Sequence, residues 1–208
     1  MASSAITEVA IANMSLTMLG QQTITALTDT NNRAVMVNQR LADVRDTVLR
    51  SHYWNCALLR AVLVKSETAP LWGFANKFAL PVGFMRLAFT EDPDVVYRIE
   101  EDFIATDADT MRIGYIHQIT AVSQWDDTLK QAVAARLAAE VAMPLTGEVG
   151  LMDRMWQKYN QVLDTARFED ATESSPLHSI RGEEWIIARL GAKTVRDWPE
   201  LDADGAPA

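Results

Sequence analysis

The sequence predicts an α+β protein: a four-helix bundle with an antiparallel β-rich insert and an extended C-terminal tail. Apolar residues recur at helical spacing in two stretches before residue 51 and in two after residue 123. Between about 57 and 120 the pattern changes to short apolar runs with period-two alternation, separated by Asp-rich turns. Beyond residue 172 the chain turns acidic, with Ser-Ser-Pro near its start and small residues at its end. A single domain is therefore expected over 1–172, followed by an extension over 173–208.

The first helix is expected at about 4–19, where Ala5, Val9, Ala12, Leu16 and Leu19 share one face. Ser3 or Ser4 suits its cap, and Gly20 suits the left-handed position after its end. The loop TDTNN is rich in capping residues and opens a second helix at about 30–50. Ala34, Val37, Leu41, Val44 and Val48 form its apolar stripe, with Arg33, Gln39, Arg40, Asp43 and Asp46 opposite.

The insert starts with the candidate strand LLRAVLV. SETAPLWGFANKF, with its Pro, Gly and aromatics, reads as a loop leading to LPVGFMRLAF. VVYRI, FIAT and MRIGYIH follow, and in the last Met111, Ile113, Tyr115 and His117 alternate with Arg112, Gly114 and Ile116. The expectation is an antiparallel meander.

A third helix is expected at about 124–143, with Ser123 as cap and Asp126 three residues on. Leu129, Val133, Leu137 and Val141 form its stripe in an alanine-rich context, and Pro144 is expected to end it. Thr146 then caps a fourth helix at about 147–171, carrying Met152, Met155, Tyr159, Val162 and Ala166.

Composition narrows the function classes. The chain has 208 residues, 49% hydrophobic and 23% charged, the balance of a soluble domain with a sizeable core. Its formal charge of -9 disfavours gripping nucleic acid. One cysteine forms no internal disulfide, which points to a reducing compartment. The N-terminal stretch has no basic start, so no signal peptide is expected. No run approaches the roughly 18 apolar residues of a membrane span. From Glu169 onward nine acids face four bases, over half of the net charge.

Few residues invite chemistry. His52 and Cys56, spaced to meet on a helix face, suggest a thiol–base pair. No nucleophile signature accompanies them, and Tyr53 and Trp54 beside them read as core anchors. Tyr53, Trp54 and Cys56 are therefore expected to be a structural corner where the second helix ends. His52, His117 and His178 have no zinc-like spacing. Asp92/Asp94 and Asp107/Asp109 lack the glycine and terminal glutamate of a calcium loop and read as solvated turns. No glycine-rich nucleotide motif is present, so no cofactor is expected. Glu100, Glu101 and Asp102 cluster, which leaves a carboxylate-pair glycan or peptidoglycan hydrolase as the alternative reading. In the extension, Trp185, Ile186, Ile187 and Leu190 are candidate anchors for docking onto another subunit, unless they fold back on their own domain.

Several segments, in order, resemble the tail tubular protein A, or head-to-tail adaptor, family of short-tailed bacteriophages. SLTMLGQQTITALTDTNNRA resembles the family's opening helix and loop. LADVRDTVLRSHYWNCALLRAVL resembles its next segment, where an arginine–acid pair leads to a Trp-Asn corner and a basic strand. FALPVGFMRL, then MRIGYI, then LAAEVAMPLTG match its later pieces. Together they span about 15–170. Cys56 stands where the family more often has an aromatic residue, and Gly83 replaces a more polar one; the segment beyond 175 does not align.

The resemblance implies a non-enzymatic virion protein with no catalytic residues. Its copies would form a ring, dodecameric in family members, in the neck of the phage tail. Portal protein on one side and the tail nozzle (tail tubular protein B) on the other would be its partners. Genome DNA would pass through the channel without specific binding, eased by an acidic lumen. A host scaffolding domain with no phage context is a third reading.

Overall fold

The structure is a computed structural model that describes residues 7–172. Trp185, Ile186, Ile187, Leu190 and His178 lie outside the described residues.

Thr7 caps the first helix, α1 (Glu8–Met18), rather than Ser3 or Ser4. Its end is as expected: Gly20 takes φ 68°, Gly20 N–H donates to Thr17 O and Gln21 N–H to Leu16 O, satisfying carbonyls the helix leaves open. The Asn13 amide then holds the following loop by bonding both the N–H and the C=O of Ile24. α2 (Asn32–Ser51) starts at Asn31, whose side chain accepts from Ala34 N–H. Its five expected stripe residues are buried, joined by Leu49.

Two small antiparallel sheets follow, in place of the expected meander. The strands are β1 (Leu58–Val62), β2 (Asn76–Ala79), β3 (Phe84–Thr90), β4 (Tyr97–Glu100), β5 (Phe103–Thr106) and β6 (Arg112–His117). The first sheet has the order β1-β6-β3 and the second β2-β5-β4. Only β4 and β5 form a hairpin of neighbours in sequence. β2 falls in the stretch read as a loop: Asn76 and Lys77 look polar, yet Phe78 is fully buried opposite Ile104.

β6 explains the interleaving. Its even residue Ile116 joins the helical core, together with Met85 and Leu58, while Met111, Ile113 and Tyr115 join a second core with Phe78 and Ile104 of the other sheet. A strand covered on both faces belongs in the middle of its sheet. Gly114 is required there, because a Cβ would stand 2.3 Å from the Phe89 ring.

α3 (Asp127–Thr146) is capped by Asp126 rather than Ser123, which lies in a short 3-10 turn before it. Pro144 does not end it. A proline so near the C-terminus forfeits one bond, and the helix continues to Gly147, left-handed, with its N–H on Met143 O. α3 is buried nearly all round, through Leu129, Val133, Leu137 and Val141 on one face and six alanines elsewhere. Small side chains let α1, α2 and α4 (Val149–Thr172) all pack against it. Thr146 serves the connection rather than α4: its hydroxyl donates to Ala142 O and accepts from Glu148 N–H. Glu140 accepts from both Arg40 of α2 and Arg136 of its own helix, and Arg136 lies over the Trp156 and Tyr159 rings of α4. No helix among the described residues is long and apolar enough to cross a membrane.

Candidate functional site

The corner at His52–Cys56 is built from three elements. α2 ends at Ser51, and Trp54 turns inward, fully buried, its indole N–H donating to Val48 O at 2.9 Å. His52 packs edge-on against Trp54, 5.1 Å between ring centres. Its Nε2 lies 2.8 Å from Asp170 Oδ2, so its partner is a carboxylate of α4 rather than Cys56. Asp170 also accepts from Asn55 N–H at 2.9 Å, and its own carbonyl accepts from the Asn55 amide at 2.8 Å. Asp170 is buried, so this set fastens the end of α4 to the corner.

Tyr53 departs from the expectation of a core anchor. It is 40% exposed, and Arg86 lies over its ring at 4.2 Å. His52 and Trp54, two residues apart, pack on each other, and Tyr53 between them faces Arg86 and solvent.

Cys56 is half-buried. Burial pushes its thiol up; the Asp126 and Asp170 charges add to this, and hydrogen bonds involving the Asp126 and Cys56 backbones work against it. A raised thiol is the reverse of what a nucleophile needs at neutral pH. Cys56 of the folded chain should therefore label with a thiol-directed disulfide reagent more slowly at pH 8 than the urea-unfolded chain, converging at higher pH. Since the folded thiol titrates later, this group's contribution to stability is present below the ordinary thiol range and lost as pH rises through it. Cys56→Ala should cost about 1 kcal/mol in urea unfolding.

The carboxylates Glu100, Glu101 and Asp102 occupy the β4–β5 hairpin, all exposed. Glu101 sits at φ 48°, and Glu100 is 3.6 Å from Arg98. A hairpin tip does not hold two carboxylates across a cleft. Asp92 accepts from Asp94 N–H, the geometry of a turn, and Asp107 accepts from Ala75 N–H of a distant loop. Among the described residues no three His, Cys, Asp or Glu are placed together to hold a metal ion.

The surface of the β-rich insert is the more informative site. Leu71 is 100% exposed, Trp72 82%, Val82 95%, Val64 75% and Val96 72%. Leu71 and Trp72 stand in the loop between β1 and β2, and Val64, Val82 and Val96 lie just outside the strands. The Ala75–Asp107 bond, the Asn76 amide on Ala108 O and the Thr106 hydroxyl on Val96 O tie the loops at one end together. The β2 edge is covered by residues 64–66, through Ser66 N–H to Lys77 O and Ala79 N–H to Val64 O. β4, exposed along its length, forms the other edge of that sheet. Large apolar side chains held out from a rigid scaffold are what a protein partner buries.

The sequence pointed to the tail, but not to these residues. PLWG carried a signal, two large apolar residues in a Pro/Gly-flanked loop. Asp170 carried none, since its partners are more than a hundred residues away. No family model matches the chain, and no curated protein matches it.

Proposed function

We propose that this chain is a structural virion subunit: the head-to-tail adaptor of a short-tailed bacteriophage. Its copies form a ring, a dodecamer, between the portal protein and the tail nozzle, and extend the DNA channel of the filled head. The ordered segments from SLTMLG to MPLTG support this reading. The observation that carries it is the set of large apolar side chains, Leu71 and Trp72 foremost, that the β-rich insert exposes to solvent. In this reading the four helices are a bundle that forms the body, the insert meets neighbouring proteins, and Trp185, Ile186, Ile187 and Leu190 dock onto a partner.

The test is reconstitution. Purified full-length chain is mixed with portal rings and sized by mass photometry. The expected result is a portal complex heavier by a full ring, which then accepts the nozzle protein. A portal that gains no mass overturns the proposal. Trp185→Ala with Ile187→Ala should leave the far-ultraviolet circular dichroism unchanged and weaken docking about tenfold or more. Unchanged docking removes the tail from the mechanism.

A further inference from the structure

β4 is the open edge of the second sheet. The opposite edge, β2, is covered by the chain at 64–66. All four residues of β4 are exposed, and among the described residues no backbone bond reaches its outer side. Such an edge offers its free N–H and C=O groups to another strand.

The ladder fixes which way each residue of β4 faces. Asp102 C=O accepts from Leu80 N–H, on the β2 side. Backbone groups alternate sides along a strand, so Phe103 and Ala105 bond toward β4, where the register sets them against Glu100 and Arg98. Tyr97 and Ile99 therefore turn their N–H and C=O outward. Side chains alternate as well, between the two faces. Ile99 lies opposite Ile104, and Ile104 opposite Phe78, so Ile99 carries the apolar face of the sheet out to its edge. Ile99 and Tyr97 are each 41% exposed there. Arg98 and Glu100 share the other face, 3.6 Å apart.

This strand is complementary to itself. Laid antiparallel on a second copy and centred on Ile99, it brings the outward N–H and C=O of Ile99 onto those of Ile99 in the second copy. The two isoleucine side chains meet on the apolar face. On the other face each Arg98 stands opposite Glu100 of the second copy, an opposite-charge pair made twice. Moving the centre by one residue would set Arg98 against Arg98, or Glu100 against Glu100, and would turn inward-bonded backbone groups to the contact. The remaining acids, Glu101 and Asp102, belong to the turn. Antiparallel order places the two turns at opposite ends, with the Glu101 residues roughly 14 Å apart, beyond the screening length in physiological salt.

We propose that two copies of the free chain join through β4, antiparallel and centred on Ile99, into one continuous sheet. A two-fold contact is complete at two copies. It is therefore a state of the chain outside a ring of single polarity, and it stands independently of the adaptor reading.

The test uses the full-length chain in sedimentation velocity, up to about 0.5 mM. A monomer–dimer equilibrium is expected. Arg98→Glu and Glu100→Arg, both exposed and folded by circular dichroism, should each weaken it about tenfold, since each turns two attractive pairs into repulsive ones. Mixing these two variants should restore it as a heterodimer. The register has its own readout. In a Cys56→Ala background, Arg98→Cys mixed with Glu100→Cys should form a disulfide-linked dimer under copper-catalysed oxidation. Those positions face each other at about 4.5 Å between Cα atoms, within disulfide reach. Either cysteine variant alone should cross-link far more slowly, its two copies standing roughly 8 Å apart. A wild-type chain that stays monomeric throughout leaves the edge to a different protein and overturns the proposal. Association that ignores both charge reversals, or cross-linking no faster in the mixture than in either variant alone, overturns it too.

Discussion

Trp54→Ala is expected to lower the free energy of unfolding by about 3–5 kcal/mol, much of a domain's stability. The indole is fully buried, among the largest side chains of the helical core. Truncation leaves a cavity between α2 and the first sheet, and the lining relaxes only in part. It also removes the indole bond to Val48 O, a carbonyl that keeps the Ser51 hydroxyl as a donor. The edge-on contact with His52 goes as well, loosening the ring that meets Asp170. Urea unfolding measures the loss, and Trp54→Phe separates its parts: it refills most of the volume but forgoes the indole hydrogen bond, for about 1 kcal/mol. Tyr53→Ala, one residue earlier, is the control. With 40% of its surface in water and a single cation–π contact to Arg86, it should cost about 1 kcal/mol or less. Equal losses at the two positions would mean that the corner is not built as described.

Asp170→Ala is expected to cost about 2–4 kcal/mol, the second largest effect. Its carboxylate accepts from Asn55 N–H and meets His52 Nε2, so removing it takes a buried acceptor from both. The Asn55 amide still reaches the backbone carbonyl of residue 170, which keeps the loss below that of undocking the helix end. Asp170→Asn keeps the shape and one acceptor oxygen and should lose roughly half as much. A double-mutant cycle with His52→Ala isolates the pair, with a coupling of about 1 kcal/mol or more expected. Additive losses would show that His52 and Asp170 are neighbours without an interaction.

The elements of this fold were legible where one side chain's neighbours lie on its own segment. The α2 stripe from Ala34 to Val48 and the α3 stripe from Leu129 to Val141 are buried as their spacing predicts. Gly20 occupies the left-handed position expected of it. The helix starts were misread at Ser3, Ser4 and Ser123, because Thr7 and Asp126 are equally good acceptors and only the fold selects among them. β2 escaped because a four-residue strand whose neighbour is β5 shows too little alternation to stand out from a loop.

The candidate sites divide in the same way. Trp54 could be read as an anchor from its place at the end of an amphipathic helix, and it is one. Tyr53 could not be separated from it, since which of two adjacent aromatics turns inward depends on where the chain goes after the helix. Arg86 of β3 and Arg167 of α4 donate to the carbonyls of Arg50 and Ser51 at the end of α2, and neither arginine is distinctive in its own segment.

The sequence by itself determined the α+β class, the two helical stripes, the change of period at residue 57 and the packed tryptophan at the corner. These follow from periods of 3.6 and 2 and from capping chemistry, which act over a few residues. Only the tertiary structure decided the interleaved strand order and the His52–Asp170 partnership. Each of these depends on which distant segment supplies the partner, and the free energy of that choice resides in burying both faces of β6 at once rather than in any local pattern.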